Sequence, residues 1–368
     1  MTGLRQQYRE LLADGIIPFW LRALDHEYGG VFSCMSEEGT ILSTEKYIWS
    51  QARFVWTLSA LYNRFQRRPE FLAHARKTID FLLQYARDER GRFVYRTSRE
   101  GKHLEGATSI YADCFVAYGI NEYCRAVHDP DLLRTAAAIL SRVKQRVEEP
   151  DFTETAPYKL PPGRRVHGIP MILTEVTGED RYPRLVMDHF VRPKRRLLLE
   201  YLTRDYQELP GPEGTFVNPG HAIESMWFVM HWARRYNDSA TIARAAELIR
   251  WHLEAGWDNE YGGIYLGIDA QGGEPFLPHS EKKLWWPHTE ALYALLLAHQ
   301  LTGEPWCMQW FERVHEWSFA HFSMPETGEW RQRLDRAGRP ITELIALPVK
   351  DPFHLPRALL FSLELLRS

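Results

Sequence analysis

Three histidines stand beside turn-forming residues where a helix is about to begin. They are His221 in Asn218-Pro219-Gly220-His221-Ala222-Ile223-Glu224, His288 in Trp285-Trp286-Pro287-His288-Thr289-Glu290, and His354 in Asp351-Pro352-Phe353-His354-Leu355-Pro356-Arg357. An imidazole titrates near ~6.5 and can both accept and release a proton at neutral pH. A helix N-terminus disfavours the imidazolium, which suits a ring working as a neutral base, and Arg357 adds positive charge beside His354. Arg53 supplies a fixed cation for a developing oxyanion, and Glu290 a carboxylate two positions after His288. Trp49, Tyr111 and Trp286 are flat rings with polar edges, suited to the apolar face of a sugar. Asn218, Glu224, His288 and Met171 complete the candidate substrate contacts. Trp56 and Trp227 fall a turn or more inside their helices and are expected to fill core.

The elements that must position these groups are helical. Apolar residues recur at helical spacing in Leu72–Ala86, Asp113–Val127, Leu132–Val147, Ala222–Tyr236, Ala240–Ala255, Glu290–Leu301 and Pro356–Leu366. Short glycine-flanked pieces at Gly29–Phe32, Gly91–Tyr95 and Gly262–Tyr265 read as hairpins in the loops. Polar residues near successive alternate helix starts, Arg53, Asp113, His221, Glu290 and His354, with Met171 filling the place after Asp113, are separated by 60, 58, 50, 69 and 64 residues. Each gap holds a helix, a connection, a second helix and a return. The expected fold is therefore all-α, a toroid of six helical hairpins with short β-hairpins at the active-site end, built as one domain over residues 1–368. Proline-bearing loops at Glu149–Arg165 and Gln207–Gly220 are expected on the pocket rim.

An internal echo runs through the chain. Asp25-His26-Glu27-Tyr28-Gly29-Gly30-Val31-Phe32 returns as Asp258-Asn259-Glu260-Tyr261-Gly262-Gly263-Ile264-Tyr265, an offset of 233. Lys46-Tyr47-Ile48-Trp49 returns as Lys283-Leu284-Trp285-Trp286 at an offset of 237, which makes Arg53 and Glu290 equivalent positions.

Composition limits what the protein can be. Its 368 residues carry 45 Lys+Arg against 48 Asp+Glu, a net charge of −3, with no basic run to track phosphates, so nucleic acid is not an expected partner. No apolar stretch is long enough to span a bilayer and the first residues lack a secretory core, so neither membrane insertion nor secretion is expected. Four scattered cysteines without a CxxC pair fit a reducing cytoplasm. The His-x-x-Glu pair at 221 and 224 has metal-ligand spacing but no second such motif, and no metal is expected. Neither a G-x-S-x-G elbow nor a phosphate-cradling glycine loop is present.

The segments Lys46–Arg53, Asn218–Glu224, Lys283–Glu290 and Phe353–Arg357 resemble the signatures of N-acylglucosamine 2-epimerases, the superfamily that also holds cellobiose 2-epimerases and aldose-ketose isomerases. The match runs in order from about residue 15 to 362. The resemblance implies an (α/α)6 barrel and reversible interconversion of N-acetyl-D-glucosamine and N-acetyl-D-mannosamine without a redox cofactor. It places catalytic and substrate-contacting roles on Arg53, His221, Glu290 and His354, and implies a homodimer with ATP as an effector at most. Cellobiose-type members carry a histidine where this chain has Pro170-Met171, and their last motif lacks the Leu-Pro-Arg that follows His354 here, so disaccharide epimerisation is disfavoured. Leu344–Lys350 stands where some epimerases have a glycine-rich lead-in.

Inversion at C2 of an opened sugar needs a base on one face and an acid on the other, and His221 and His354 are assigned to these roles. Arg53 would stabilise charge on O1. Glu290 would orient His288 or assist ring opening; alternatively Arg53 and Glu290 form a buried structural pair. The competing functions are a mannose 2-epimerase or aldose-ketose isomerase on a free hexose, a glycoside hydrolase using Glu224 and Glu290, and a non-catalytic sugar-binding protein.

Overall fold

The structure, a computed structural model, describes residues 2–153, 163–342, 345 and 347–366. The middle of the expected rim loop Glu149–Arg165 and part of Leu344–Lys350 lie outside the described residues. The chain divides into two compact units. One comprises Met1–Pro162, Pro325–Glu329 and Ala346–Leu360; the other comprises Gly163–Met324, Trp330–Ile345 and Phe361–Ser368.

In the first unit, Ile48–Arg64 pairs with Pro69–Tyr85, and Ile110–Val127 with Pro130–Arg146. In the second, Gly168–Thr177 pairs with a short helical run from Arg181 to Phe190, Pro219–Arg235 with Ser239–Gly256, and Trp285–Thr302 with Pro305–Phe322. The first helix of each pair is apolar on most of its circumference and buried; its follower buries one face only. The helical run Thr2–Leu21 opens the chain and His354–Leu365 closes it. Among the described residues no helix is long and apolar enough to cross a membrane. No disulfide joins the four cysteines, all of them buried.

The expected helices form, but several begin earlier than their apolar periodicity: at Pro69 rather than Leu72, at Pro219 rather than Ala222, and at Trp285 rather than Glu290. The starts are set by local chemistry instead. Proline occupies the first turn of several, where its missing N–H costs nothing, and Asn218 and Asp129 side chains accept first-turn amides. The three glycine-flanked pieces close as single antiparallel bridges, Leu24 with Val31, Arg87 with Phe93 and Trp257 with Ile264, shorter than the hairpin strands expected.

The echo is a duplicated clamp. In the first unit, Lys46 is sealed from solvent, with Nζ 3.0 Å from Asp25 Oδ2 and 2.7 Å from the Gly29 carbonyl; Arg99 grips Asp25 and Glu27. In the second unit, Lys283 Nζ lies 3.2 Å from Asp258 Oδ2 and reaches the Gly263 carbonyl, and Arg336 grips Asp258 and Glu260. The repeat extends to strand register: Lys46 faces Thr97 as Lys283 faces Leu334. Both glycine pairs sit at positive φ, between 75° and 90°, which only glycine adopts without strain. Burial pulls the Lys283 amine down to about 8 while its neighbour Asp258, which burial alone would raise, is held low by Arg336.

A second tie joins helix to loop. The fourth residue of three buried helices accepts a backbone N–H from the preceding hairpin: Gln51 from Val31 (2.8 Å), Asp113 from Phe93 (3.3 Å) and His288 from Ile264 (2.8 Å). Asp113 and Met171 are therefore each fourth in their helices, whereas Arg53, Glu224 and Glu290 are each sixth in theirs. Burial pushes the Asp113 carboxyl up to about 6.

Breaking a buried ion pair from one side leaves an unpaired charge. Lys46→Met is expected to destabilise the protein by about 3 kcal/mol in urea unfolding, with Arg99 limiting the loss. A change below about 0.5 kcal/mol would remove the clamp from the account of stability.

Candidate active site

Within the second unit, the Asn218 side chain accepts the His221 N–H at 3.1 Å and so starts the helix that carries this histidine. Asn218 is accounted for as a cap. The His221 side chain keeps 29% of its surface exposed, and its Nδ1 lies 3.1 Å from Glu200 Oε1. Glu200 is fixed through its backbone, its N–H bonded to the Phe216 carbonyl and its own carbonyl accepting the His167 N–H. Burial alone would raise the Glu200 carboxyl, but His221 and His167 outweigh it and hold it well below the usual carboxylate range. A carboxylate can only accept, so the His221 proton is placed on Nδ1 and the lone pair on Nε2.

Trp286 lies against the same histidine, ring centroids 5.3 Å apart and tilted by 40°. Gly220 permits this: a Cβ there would stand 2.6 Å from the Trp286 ring. Glu224, one turn beyond His221, is buried, as are Met171 and Glu290. Glu290 Oε2 accepts the Trp227 indole N–H at 2.8 Å, so Trp227 fills core, as expected, and also orients a carboxylate. Oxygens of Glu224 and Glu290 lie within 4.8 Å, closer than the ~6.5–9.5 Å of an inverting hydrolase pair.

His288 does not join this group. Its Nε2 takes the Ile264 amide, its Nδ1 lies 2.7 Å from the Leu284 carbonyl, and its ring is sealed and stacked on Trp317. The expectation that Glu290 orients His288 is thereby corrected: both ring nitrogens are already used by the backbone.

In the first unit, Arg53 NH1 pairs with Asp351 Oδ1 at 2.9 Å, so the partner of Arg53 is Asp351 and the buried Arg53–Glu290 alternative is not needed. The guanidinium carbon lies 4.2, 4.8 and 5.0 Å from the ring centres of Phe115, Trp49 and Phe353, a cage that fixes the cation's plane. Tyr111, half-buried, lies one turn before Phe115 on the same helix. The other Asp351 oxygen accepts the Phe353 and His354 amides at 3.0 and 2.8 Å. One carboxylate thus sets both the arginine and the start of the last helix. His354 is buried, with Arg357 NH2 3.5 Å from its Nδ1. Burial opposes ionisation of Asp351, but the charges of Arg53 and His354 prevail and lower it.

Glu200, Asp351, His167 and Phe115 escaped the sequence reading. Signals existed for three. Glu200 is a lone acid in the apolar run Leu197–Leu202, Asp351 stands three residues before His354, and His167 immediately precedes a buried helix, as His221 and His354 open theirs.

Residues 30–358 match the family model for N-acylglucosamine 2-epimerase (GlcNAc 2-epimerase). The N-acylglucosamine 2-epimerase of Bos taurus is 32% identical over 98% of this chain and 90% of its own, and that of Homo sapiens 31% identical over 96% and 88%. The structure of cellobiose 2-epimerase from Bacillus thermoamylovorans B4167 superposes with a TM-score of 0.84 at 17% identity, covering 99% of this chain and 100% of that one. The chain belongs to the N-acylglucosamine 2-epimerase family, and its fold is the (α/α)6 barrel.

Since Gln51 and His288 perform the same tie, His288→Gln is expected to fold and keep activity within a few-fold, whereas His288→Ala loses about 1–3 kcal/mol. Burial depresses the His288 ring to about 3, so neutral His288 contributes stability above ~6.5 that is lost as pH falls towards 3. Urea unfolding should therefore show His288→Gln gaining on the parent between pH 8 and pH 5. A constant difference would contradict this.

Proposed function

We propose that the protein is a sugar 2-epimerase that interconverts N-acetyl-D-glucosamine and N-acetyl-D-mannosamine. Support comes from the family relationship, with curated N-acylglucosamine 2-epimerases at 31–32% identity against 22% for the cellobiose 2-epimerase of Dictyoglomus turgidum. The observation that carries the chemistry is the Glu200 carboxylate behind His221 Nδ1, which leaves Nε2 able to take a proton.

The pyranose first opens to its aldehyde, which makes the C2 hydrogen acidic. One imidazole removes that proton, giving an enediolate-type intermediate with the negative charge on O1, and the other imidazole returns a proton to the opposite face. His221 and His354 serve as these two groups. No electrons leave the sugar, so the step balances without a redox cofactor. Arg53, held flat by its aromatic cage and by Asp351, stabilises the charge on O1. Glu290, oriented by Trp227, assists ring opening. Glu200 stabilises the positive charge that arrives on His221. Trp286, beside His221, offers the sugar a flat face, and Trp49 and Tyr111 are the further aromatic contacts of this reading. In the same reading the enzyme works in the cytoplasm, on the grounds of its scattered cysteines and the lack of a secretory core, and pairs as a homodimer with ATP an effector at most, on the grounds of the family relationship.

Turnover of N-acetylmannosamine in D2O should place solvent deuterium at C2 of the product, read by NMR, and unlabelled product would exclude solvent-exchanging bases. His221→Ala and His354→Ala should each lower kcat by about 10²–10⁴ with far-UV CD unchanged. A near-parental rate in either removes that histidine from the chemistry. Glu200→Gln should also lower kcat, by at least about tenfold, with little change in KM.

A further inference from the structure

Behind His221, away from the ring nitrogen the reaction uses, the second unit holds a buried histidine and a carboxylate oxygen that the reaction does not use. His167 is sealed from solvent, and neither ring nitrogen has a hydrogen-bond partner. Its Nδ1 is 3.6 Å from Glu200 Oε2, too long for a hydrogen bond, and that oxygen is also sealed and unpartnered. Leaving one buried polar group unsatisfied costs about 1–3 kcal/mol, and here several point into one place. One ligand atom each from His167, Glu200 and His221 lies within 4.8 Å of the other two.

We propose that His167, Glu200 and His221 form a site for a divalent transition metal of the zinc class, and that an ion held there switches His221 off. Two imidazoles and one carboxylate are the donors such an ion takes, and they disfavour magnesium and calcium, which select oxygen. With bonds of about 2.0–2.2 Å, neighbouring ligands of a tetrahedral ion stand roughly 3.3–3.6 Å apart. Glu200 Oε2 already stands 3.6 Å from His167 Nδ1, one such edge, while the other oxygen, Oε1, lies 3.1 Å from His221 Nδ1. A turn of His221, the one ligand with an exposed side chain, closes the two edges that its nitrogen makes, and water takes the fourth position. His221 and Glu224, the pair with metal spacing in the sequence, are not the donors that converge here.

The consequence follows from the tautomer. A metal on Nδ1 of a neutral ring forces the ring proton onto Nε2, the reverse of the arrangement that Glu200 sets, and Nε2 can no longer accept a proton. Zinc-class ions are thus reversible inhibitors. The inhibition, though not the binding, rests on the catalytic role proposed for His221.

The test titrates the full chain, freed of metal by a chelator, with Co2+ and follows visible d–d absorption. The expected result is one saturable equivalent, displaced by Zn2+, lost in both His167→Gln and Glu200→Gln, and kept in His189→Gln, whose ring stacks on Tyr206 elsewhere in the unit. Far-UV CD checks folding, and His221→Asn serves in place of either variant that fails to fold. Epimerase activity should fall at least about tenfold at one equivalent and return with chelator. Absence of saturable absorption, or absorption unchanged in His167→Gln, overturns the proposal and leaves water as the filler of the site. A cobalt signal in a chain without epimerase activity would instead overturn only the functional reading.

Discussion

A carboxylate that can only accept hydrogen bonds fixes which nitrogen of His221 carries the proton, and the surrounding structure is arranged to keep it there. Glu200 is buried, which by itself would favour its neutral form; two imidazoles beside it hold it ionised instead. Its backbone is pinned on both sides, to Phe216 and to the residue before the Gly168–Thr177 helix. The Asn218 cap and the close seat of Trp286 on Gly220 then fix the ring from the other side. A helix N-terminus alone favours a neutral ring; a carboxylate at 3.1 Å additionally selects its tautomer and stabilises the cation formed on proton uptake.

The first unit uses a different device for a similar purpose. Asp351 spends one oxygen on Arg53 and the other on the first amides of the helix that begins at His354. Placement of a cation and the entry angle of a helix are therefore one constraint. Around both groups the hairpin loops are held by the Asp–Lys–Arg clamps and by the fourth-position ties, which satisfy backbone amides that would otherwise be buried unpaired. Loops anchored in this way can present side chains at helix starts without relying on long strands of their own.

Much of this was legible in the sequence because the signals were local. Helical periodicity located the pairs, and proline and asparagine beside His221 marked a helix start. The duplicated Asp-x-x-Tyr-Gly-Gly motif showed that Lys46 and Lys283 occupy equivalent places. What escaped was the pairing of residues distant in the chain. Arg53 and Asp351 are 298 positions apart, and nothing in either segment names the other. Glu200 lies in a run that reads as core, and its charge is tolerable there only because histidines from two other elements meet it. His288 misled for the opposite reason: its flanking Pro, Thr and Glu suggest a site, yet the register makes it the counterpart of Gln51, a residue with no chemistry to offer.

The central claim, that Glu200 determines the tautomer of His221, can be read directly. In uniformly 15N-labelled protein, at a pH where the His221 ring is neutral and with its signals assigned through His221→Ala, long-range 1H–15N correlation distinguishes a protonated from an unprotonated ring nitrogen. The account predicts the proton on Nδ1 and a bare Nε2, with the preference lost in Glu200→Gln. A proton found on Nε2 in the parent protein would contradict it.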